Sequence, residues 1–313
     1  MTIVVAGGTG FLGRAIVAHL VERGHQIIVL TRSPRPDADR LRGVRAVAWT
    51  PSASTDDSGG GEWRREIDDA GAVINLAGAG IADKRWSAAR KQQIRDSRVQ
   101  STRRLVSAIR AASRKPRIFI QGSAVGFYGS TMANTVYDES FPPGDDFLGQ
   151  TCVAWEAEAH PATALGCRLV ILRTAIALAA DGGPLIEMKR PFLFFVGGPI
   201  GSGQQYFSWV HRDDWVALVA WLLDNPSADG VYNGSAPEPV TNAVFSNALG
   251  RALSRPSWLR VPRAALRVAV GEVADVLVAG QRVVPARALS EGFTFMYPHI
   301  DAALAQLLGR GRG

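Results

Sequence analysis

Residues 2–13, TIVVAGGTGFLG, decide the fold of this chain, because a short apolar run leads directly into a glycine-rich turn. After that turn the apolar residues take helical spacing, beginning at Phe11, and Gly24 ends the helix. A second apolar run follows at residues 26–30. A strand, a helix and a strand within about thirty residues have the size of one parallel crossover unit.

The alternation of strand and helix continues along the chain. Four further apolar runs predict strands at residues 44–49, 72–76, 117–121 and 168–173. Residues 87–112 and 147–164 predict helices, the second broken near its end by Pro161, and residues 51–61 predict a loop. Val- and Ile-rich strands that alternate with helices are typical of an α/β fold, a doubly wound parallel sheet of the Rossmann type.

The pattern changes after residue 173, where glycine and proline clusters interrupt the chain. We therefore expect residues 1–174 to form a dinucleotide-binding core. Residues 175–313 are expected to form a smaller lobe that shapes a substrate pocket, with residues 207–224 returning to the core.

The turn carries a Gly-x-x-Gly-x-x-Gly pattern between a predicted strand and a predicted helix, the setting in which such a pattern binds a dinucleotide. The first glycine permits a tight turn, the second lets the backbone approach a diphosphate, and the third lets the helix pack on the sheet. The alternative is a purely structural turn. The predicted cofactor contacts here are Gly7, Thr9, Gly10, Phe11, Leu12 and Gly13.

The second strand ends at Thr31, followed by Arg32 and Ser33. Proteins that bind NAD usually place an acidic residue here for the ribose 2′-hydroxyl, whereas a guanidinium suits the 2′-phosphate of NADP. Thr31 and Arg32 are therefore predicted to contact NADP(H). The alternative is an exposed arginine in a loop.

The ends of the fourth and fifth predicted strands should border the same crevice, because carboxyl ends of parallel strands meet at one edge of a sheet. Leu76, Ala77 and Gly78 follow the fourth strand, and their small or apolar side chains leave room for a ribose. Ser123 follows the fifth strand and could reach the nicotinamide or a substrate oxygen. All four are predicted cofactor contacts.

Composition narrows the class of protein. The chain has 313 residues, 47% of them apolar, which suits a large core, and a formal net charge of +7. We find no apolar run long enough to span a membrane, no signal peptide, no CxxC pair and no metal-binding spacing of histidines. These features predict a cytoplasmic protein without a membrane segment or a metal.

Much of the positive charge lies in residues 84–117. A solvated helix face is the simplest interpretation. A second interpretation is a positive field around an anionic small-molecule ligand. Nucleic acid is the least favoured partner, because aromatic residues do not interleave with the charges.

Several motifs together resemble an atypical, epimerase-like family of the extended short-chain dehydrogenase/reductases, with a C-terminal segment of unknown function. They comprise the glycine-rich turn, Asn75–Gly78, Arg85-Trp86, Ser97-Arg98-Val99, Gly122–Gly129, Asp146–Leu148, Trp155-Glu156 and Gly280–Pro285. The resemblance implies a Rossmann core with a C-terminal lobe, NADP(H) as cofactor, and a homodimer through the long helices. It implies no particular substrate.

The chain departs from that superfamily at its catalytic pair, Tyr-x-x-x-Lys, in which tyrosine is the acid/base and lysine lowers its pKa and holds the ribose. The matching positions hold Leu148 and Cys152, and the pair occurs nowhere in the chain. Three alternatives remain. In the first, a reduction with an altered proton source takes its proton from Ser123, Tyr128 or Cys152. In the second, the proton comes from the substrate or from water. In the third, the protein binds NADP(H) without turnover.

Two functions follow from these alternatives. The first is an NADP(H)-dependent oxidoreductase or nucleotide-sugar-epimerase-like protein with a non-standard active site and a small-molecule substrate. The second is a non-catalytic NADP(H)-binding redox sensor or scaffold. Each of Tyr128 and Cys152 also has a structural alternative, as a buried packing residue.

Overall fold

The computed structural model describes residues 1–34, 43–51, 61–130 and 134–309. Its strands are β1 Thr2–Ala6, β2 Gln26–Thr31, β3 Val44–Ala48, β4 Ala72–Asn75, β5 Ile118–Ala124, β6 Val136–Tyr137, β7 Arg168–Thr174, β8 Ile176–Leu178, β9 Tyr206–Phe207, β10 Trp209–His211, β11 Gly230–Gly234, β12 Val240–Thr241 and β13 Arg282–Val283. Its α-helices are α1 Phe11–Glu22, α2 Glu62–Arg65, α3 Ala88–Ala111, α4 Phe147–Ala157, α5 Pro184–Leu193, α6 Arg212–Asp224, α7 Asn242–Leu253, α8 Arg263–Val270, α9 Val273–Leu277, α10 Ala286–Ser290 and α11 Ile300–Leu308.

The main sheet has the strand order β11-β7-β5-β4-β1-β2-β3, and its pairings are all parallel. Strand β1 therefore lies between β2 and β4, where the order of the sheet reverses. A reversal of this kind opens a crevice at the carboxyl ends of the strands, where ligands bind. The doubly wound parallel sheet predicted from the sequence is confirmed.

The two faces of the sheet are covered by different helices. On one face, Ile16 and Leu20 of α1 and Trp215 and Leu218 of α6 are fully buried against strand side chains. On the other face, α3 buries its apolar stripe, which includes Leu105. Because both faces are buried, the central residues of β1, β2, β4 and β7 form apolar runs, as is typical of parallel sheets.

Several elements beyond residue 174 contribute to this core. Helix α6 packs on α1, strand β11 pairs in parallel with β7 at the edge of the sheet, and Ala288, Phe293 and Phe295 also join the cluster. A separate apolar cluster lies in the same part of the chain, and in it α7 packs on α11.

Helix α4 differs from the sequence prediction in its length. It ends at Ala157, and a separate 3₁₀ turn, His160–Leu165, follows with Pro161 in its first turn. Proline has no amide hydrogen and clashes with the preceding helical turn, so it begins the short segment rather than continuing α4. Most of the loop predicted at residues 51–61 lies outside the described residues.

Gly13 allows α1 to approach the turn, and we expect Gly13→Ala to be strongly destabilising. A Cβ there would lie 2.1 Å from the Gly7 carbonyl oxygen and 2.7 Å from Gly8 Cα, both rigid backbone atoms. Overpacking against atoms that cannot move should lower the free energy of unfolding by about 3 kcal/mol. Gly10→Ala is the matched control, because its Cβ would meet only the Gly7 oxygen, at 3.2 Å. Equal melting temperatures for the two variants would contradict this packing.

Candidate cofactor cleft

The glycine-rich turn leaves the first turn of α1 open to a ligand. Gly7 has φ +79°, a left-handed conformation that favours glycine, and the amide of Gly10 donates to the Gly7 carbonyl at 3.0 Å. Gly10 caps α1 without a side-chain hydrogen bond, and the first turn contains no acidic residue. The amides at this helix end and the positive end of its dipole therefore suit an anionic group.

The end of β4 packs directly against this turn. A Cβ at Gly7 would lie 2.7 Å from the Leu76 carbonyl carbon and 2.9 Å from the Ala77 nitrogen. Buried Asn75 fixes the backbone beside it, because its Oδ1 accepts from the Ala77 amide at 3.1 Å and its Nδ2 donates to the Thr102 hydroxyl at 2.9 Å. The structure therefore brings Leu76 and Ala77 to the turn, as expected, and adds Asn75 as the residue that holds them.

Arg32 lies one residue beyond the end of β2, on the carboxyl edge of the sheet, and its side chain is exposed. Among the described residues, its guanidinium has no hydrogen-bond or ion-pair partner. The Thr31 hydroxyl accepts from the Ser33 amide at 3.4 Å, so it holds the loop that carries Arg32. This arrangement leaves the guanidinium available to a phosphate near the carboxyl end of β2.

Ser123 and Tyr128 belong to one buried polar chain. The Ser123 hydroxyl donates to Glu156 at 2.6 Å, and Glu156 forms a two-pronged ion pair with Arg173 at 2.9 and 3.0 Å. Arg173 also donates to the Tyr128 hydroxyl at 3.1 Å, and that hydroxyl donates to Asn233 at 2.8 Å. Two of the candidate proton donors are thus connected through Glu156 and Arg173, neither of which the sequence predicted as a site residue.

Burial decides the protonation state of the tyrosine. It raises the pKa of Tyr128 to about 12, against the smaller opposing effect of Arg173. The hydroxyl is therefore protonated at neutral pH and acts as a hydrogen-bond donor. The Arg173 guanidinium lies 3.3 Å from the centre of the Phe127 ring, so a cation–π contact also holds Arg173 in place.

Cys152 and Leu148, the residues at the catalytic-pair positions, are both buried on α4. The Cys152 thiol lies 3.8 Å from the Ala124 carbonyl oxygen, and burial raises its pKa to about 11. Leu148 packs beside Gly126, where a Cβ would lie 3.3 Å from the Leu148 Cβ. At neutral pH this face of α4 presents a neutral thiol and an apolar side chain.

The raised pKa values predict a loss of stability at alkaline pH. The pKa of Cys152 rises from 9.0 to about 11 and the pKa of Tyr128 from 10.0 to about 12, so as pH increases both groups ionise first in the unfolded chain. Their contribution is fully present below pH 9 and is lost as pH rises towards 12. Urea unfolding between pH 8 and pH 11 should show a falling free energy of unfolding, with a smaller fall for Cys152→Ala. Identical slopes for that variant and the wild type would contradict the burial of the thiol proton.

The segment that contains α8 and α9 contacts the start of α3. Trp86 meets Phe147 edge to face at 5.1 Å, and the Lys91 ammonium lies 5.6 Å from both ring centres. Lys91 forms an ion pair with Glu272, between α8 and α9, and Arg85 donates to a carbonyl of α8. The start of α3 and the loop before it are therefore fastened to the segment that contains α8 and α9.

The basic segment at residues 84–117 is not a uniformly solvated face. Arg90 and Arg104 are buried, and each donates to a backbone carbonyl: Arg90 to Gly80, and Arg104 to Thr50 at 3.0 Å. Others pair on the surface, as Arg103 does with Glu158. The interpretation of a solvated face therefore holds for only part of the segment.

The described residues contain neither a membrane-spanning helix nor a cluster of metal ligands. None of the helices they form is long and apolar enough to cross a membrane. Among the same residues, no three His, Cys, Asp or Glu side chains lie together as a metal site would require.

Two family models match the chain in succession. Residues 3–233 match the NAD dependent epimerase/dehydratase family, and residues 261–307 match a domain of unknown function, DUF1731. The second match covers α8, α9, α10 and most of α11, and so includes the segment that contacts the start of α3. Both matches agree with the resemblance that the motifs predicted.

Individual relatives match over nearly the whole chain. The Arabidopsis thaliana protein named "Epimerase family protein SDR39U1 homolog, chloroplastic" is 41% identical over 310 residues, covering 98% of this chain and 87% of its own length. "Epimerase family protein YfhF" of Bacillus subtilis is 35% identical over 308 residues, and the match covers 98% of this chain and 98% of that protein. The crystal structure of human epimerase family protein SDR39U1 with NADPH superposes with a TM-score of 0.85, at 32% identity, over 98% of this chain and 99% of that one.

Proposed function

Since this chain belongs to the NAD dependent epimerase/dehydratase family, we propose that it binds NADP(H) across the glycine-rich turn and the ends of β2 and β4. The human relative that was solved with NADPH supports this choice of cofactor. The single observation that carries the proposal is the first turn of α1, which has neither a side-chain cap nor an acidic residue. Those amides need an acceptor, and a diphosphate supplies one.

The residues of the cleft fit each part of the cofactor. Gly10 has no backbone or side chain within 4 Å of its missing Cβ except the Gly7 oxygen, so a diphosphate has room beside it. Arg32 suits the 2′-phosphate, which a guanidinium can grip with two hydrogen bonds. Thr9, Phe11 and Leu12, with Leu76, Ala77 and Gly78, complete the proposed contacts. When bound, NADP(H) supplies a hydride donor or acceptor to the site.

We assign to the site an oxidoreductase or epimerase-like activity on a small molecule, with a non-standard source of the proton. Ser123 is our first candidate for that source, because it lies near the carboxyl end of β5 and its hydroxyl donates to buried Glu156 at 2.6 Å. This contact connects the serine hydroxyl to a carboxyl group with which it can exchange a proton. Tyr128 and Cys152 are the other candidates, and burial raises the pKa of both groups, so each is protonated at neutral pH.

A second candidate is a redox sensor that binds NADP(H) without turnover. The observation that favours it is the apolar face of α4, where Leu148 and a neutral Cys152 stand in place of the catalytic pair. A site without a proton donor beside the nicotinamide would hold the cofactor and leave it unreacted.

Loss of NADPH absorbance in the presence of a panel of aldehydes, ketones and nucleotide sugars separates the two candidates. An oxidoreductase predicts oxidation of NADPH with at least one aldehyde or ketone, whereas an epimerase predicts conversion of at least one nucleotide sugar without net loss of NADPH, and Ser123→Ala should slow either reaction. Saturable binding with neither NADPH oxidation nor conversion of a nucleotide sugar would contradict the enzyme and favour the sensor.

A further inference from the structure

Arg98 of α3 reaches the end of β4 from the neighbouring helix. Its Cζ lies 3.1 Å from the position that a Cβ of Gly78 would take, so the guanidinium lies directly against the backbone there. One nitrogen, Nη1, donates to the carbonyls of Ala79 at 2.9 Å and Ile94 at 3.0 Å. The same guanidinium lies 5.1 Å from the centre of the Trp155 ring on α4.

The charge of Arg98 is not balanced inside the protein. Within the described parts of the chain, no carboxylate pairs with it, and its Nε and Nη2 have no hydrogen-bond partner. The side chain is half-buried, and burial is the main reason that its pKa is lowered. A partly buried cation whose Nε and Nη2 hydrogens lack a partner among the described residues is suited to bind oxygen atoms of a ligand.

The position of Arg98 relative to α4 indicates which part of the ligand it meets. Trp155 lies three residues after Cys152 on α4, so the guanidinium faces the helix turn that carries both residues. Arg98 also lowers the pKa of Cys152, against the larger effect of burial, because the two groups are close. Cys152 occupies the position where the resembling enzymes carry the lysine that holds the nicotinamide ribose.

We propose that Arg98 is the cation of this site and binds the hydroxyl oxygens of the nicotinamide ribose from α3, while Cys152 fills the lysine position on α4 as a packing residue. The proposal rests on the proposed binding of NADP(H). It assigns the nicotinamide half of the cofactor to Arg98 and the adenosine half to Arg32.

The test compares two ligands that differ in the nicotinamide half. NADPH contains it, and adenosine 2′,5′-bisphosphate lacks it while keeping the 2′-phosphate. Calorimetric titration of Arg98→Met should show NADPH bound about 10-fold to 100-fold more weakly, with the bisphosphate within about twofold of the wild type. Arg98→Lys should restore most of the NADPH affinity, because it restores the charge. Arg95→Met, an exposed arginine on the same helix, is the matched control and should change neither affinity.

Each outcome decides the assignment. A selective loss for NADPH, restored by lysine, supports it. Equal weakening of both ligands, or unchanged NADPH affinity in Arg98→Met, overturns it and returns Arg98 to a structural role. If Arg98→Met does not fold, Arg98→Gln carries the test, because it keeps a polar side chain without the charge and should weaken NADPH binding while leaving the bisphosphate unaffected. A wild-type protein that binds neither ligand overturns the proposed function, and this inference with it.

Discussion

Arg32→Asp is expected to weaken NADPH binding by about 100-fold while changing NADH affinity by no more than about threefold. The guanidinium lies beyond the carboxyl end of β2 with no partner among the described residues, so its hydrogen bonds are available to the ligand. Aspartate removes the charge-assisted hydrogen bonds to the 2′-phosphate and adds repulsion between two anions. With NADH, the same carboxylate can accept from the ribose 2′-hydroxyl.

Calorimetric titration of both nucleotides at one salt concentration measures the change in preference. Arg110→Asp is the matched control, because it makes the same change of charge at an exposed site in the last turn of α3. Its effect on both nucleotides should be small, since exposed charges far from the ligand are screened by salt. An equal loss of both nucleotides in Arg32→Asp would refute the assignment of Arg32 to the 2′-phosphate.

Gly10→Val should reduce NADPH affinity by more than about 100-fold and leave the fold intact. Gly10 has φ −74° and ψ 178°, an extended conformation that any residue adopts. The new methyl groups would fill the space beside the first-turn amides of α1, where the diphosphate is expected. The substitution should therefore weaken NADPH binding without disturbing the packing of the fold.

Far-ultraviolet circular dichroism and thermal unfolding test the fold, and titration with NADPH tests the site. Gly10→Ala should give an intermediate loss of affinity, because a single methyl fills less of the space. Wild-type affinity in both variants would show that the ligand does not approach this turn. An unfolded Gly10→Val would show that the open side of Gly10 has a structural role.

The features that the sequence predicted correctly are local ones. The strand, turn and helix around Gly7–Gly13 follow from apolar spacing and glycine positions within a few residues. The parallel order of the main sheet follows from repetition of that unit. Strands of two or three residues, such as β8, are too short to show a period, and packing places them.

The polar chain of the cleft could not be predicted in the same way. It joins Ser123 to Glu156, 33 residues away, and Tyr128 to Asn233, 105 residues away. No pattern in one sequence pairs such positions, because tertiary contact alone brings them together. Arg98 was concealed for a different reason. It lies among many arginines, and only the fold shows that it turns inward and that no carboxylate among the described residues pairs with it.

The central claim is tested most directly by calorimetric titration of the purified wild-type chain with NADPH and, separately, with NADH. The account predicts one saturable site per chain, at least about tenfold tighter for NADPH, and an affinity that falls as salt rises because phosphates meet Arg32 and the start of α1. The absence of a saturable site for either nucleotide would contradict it.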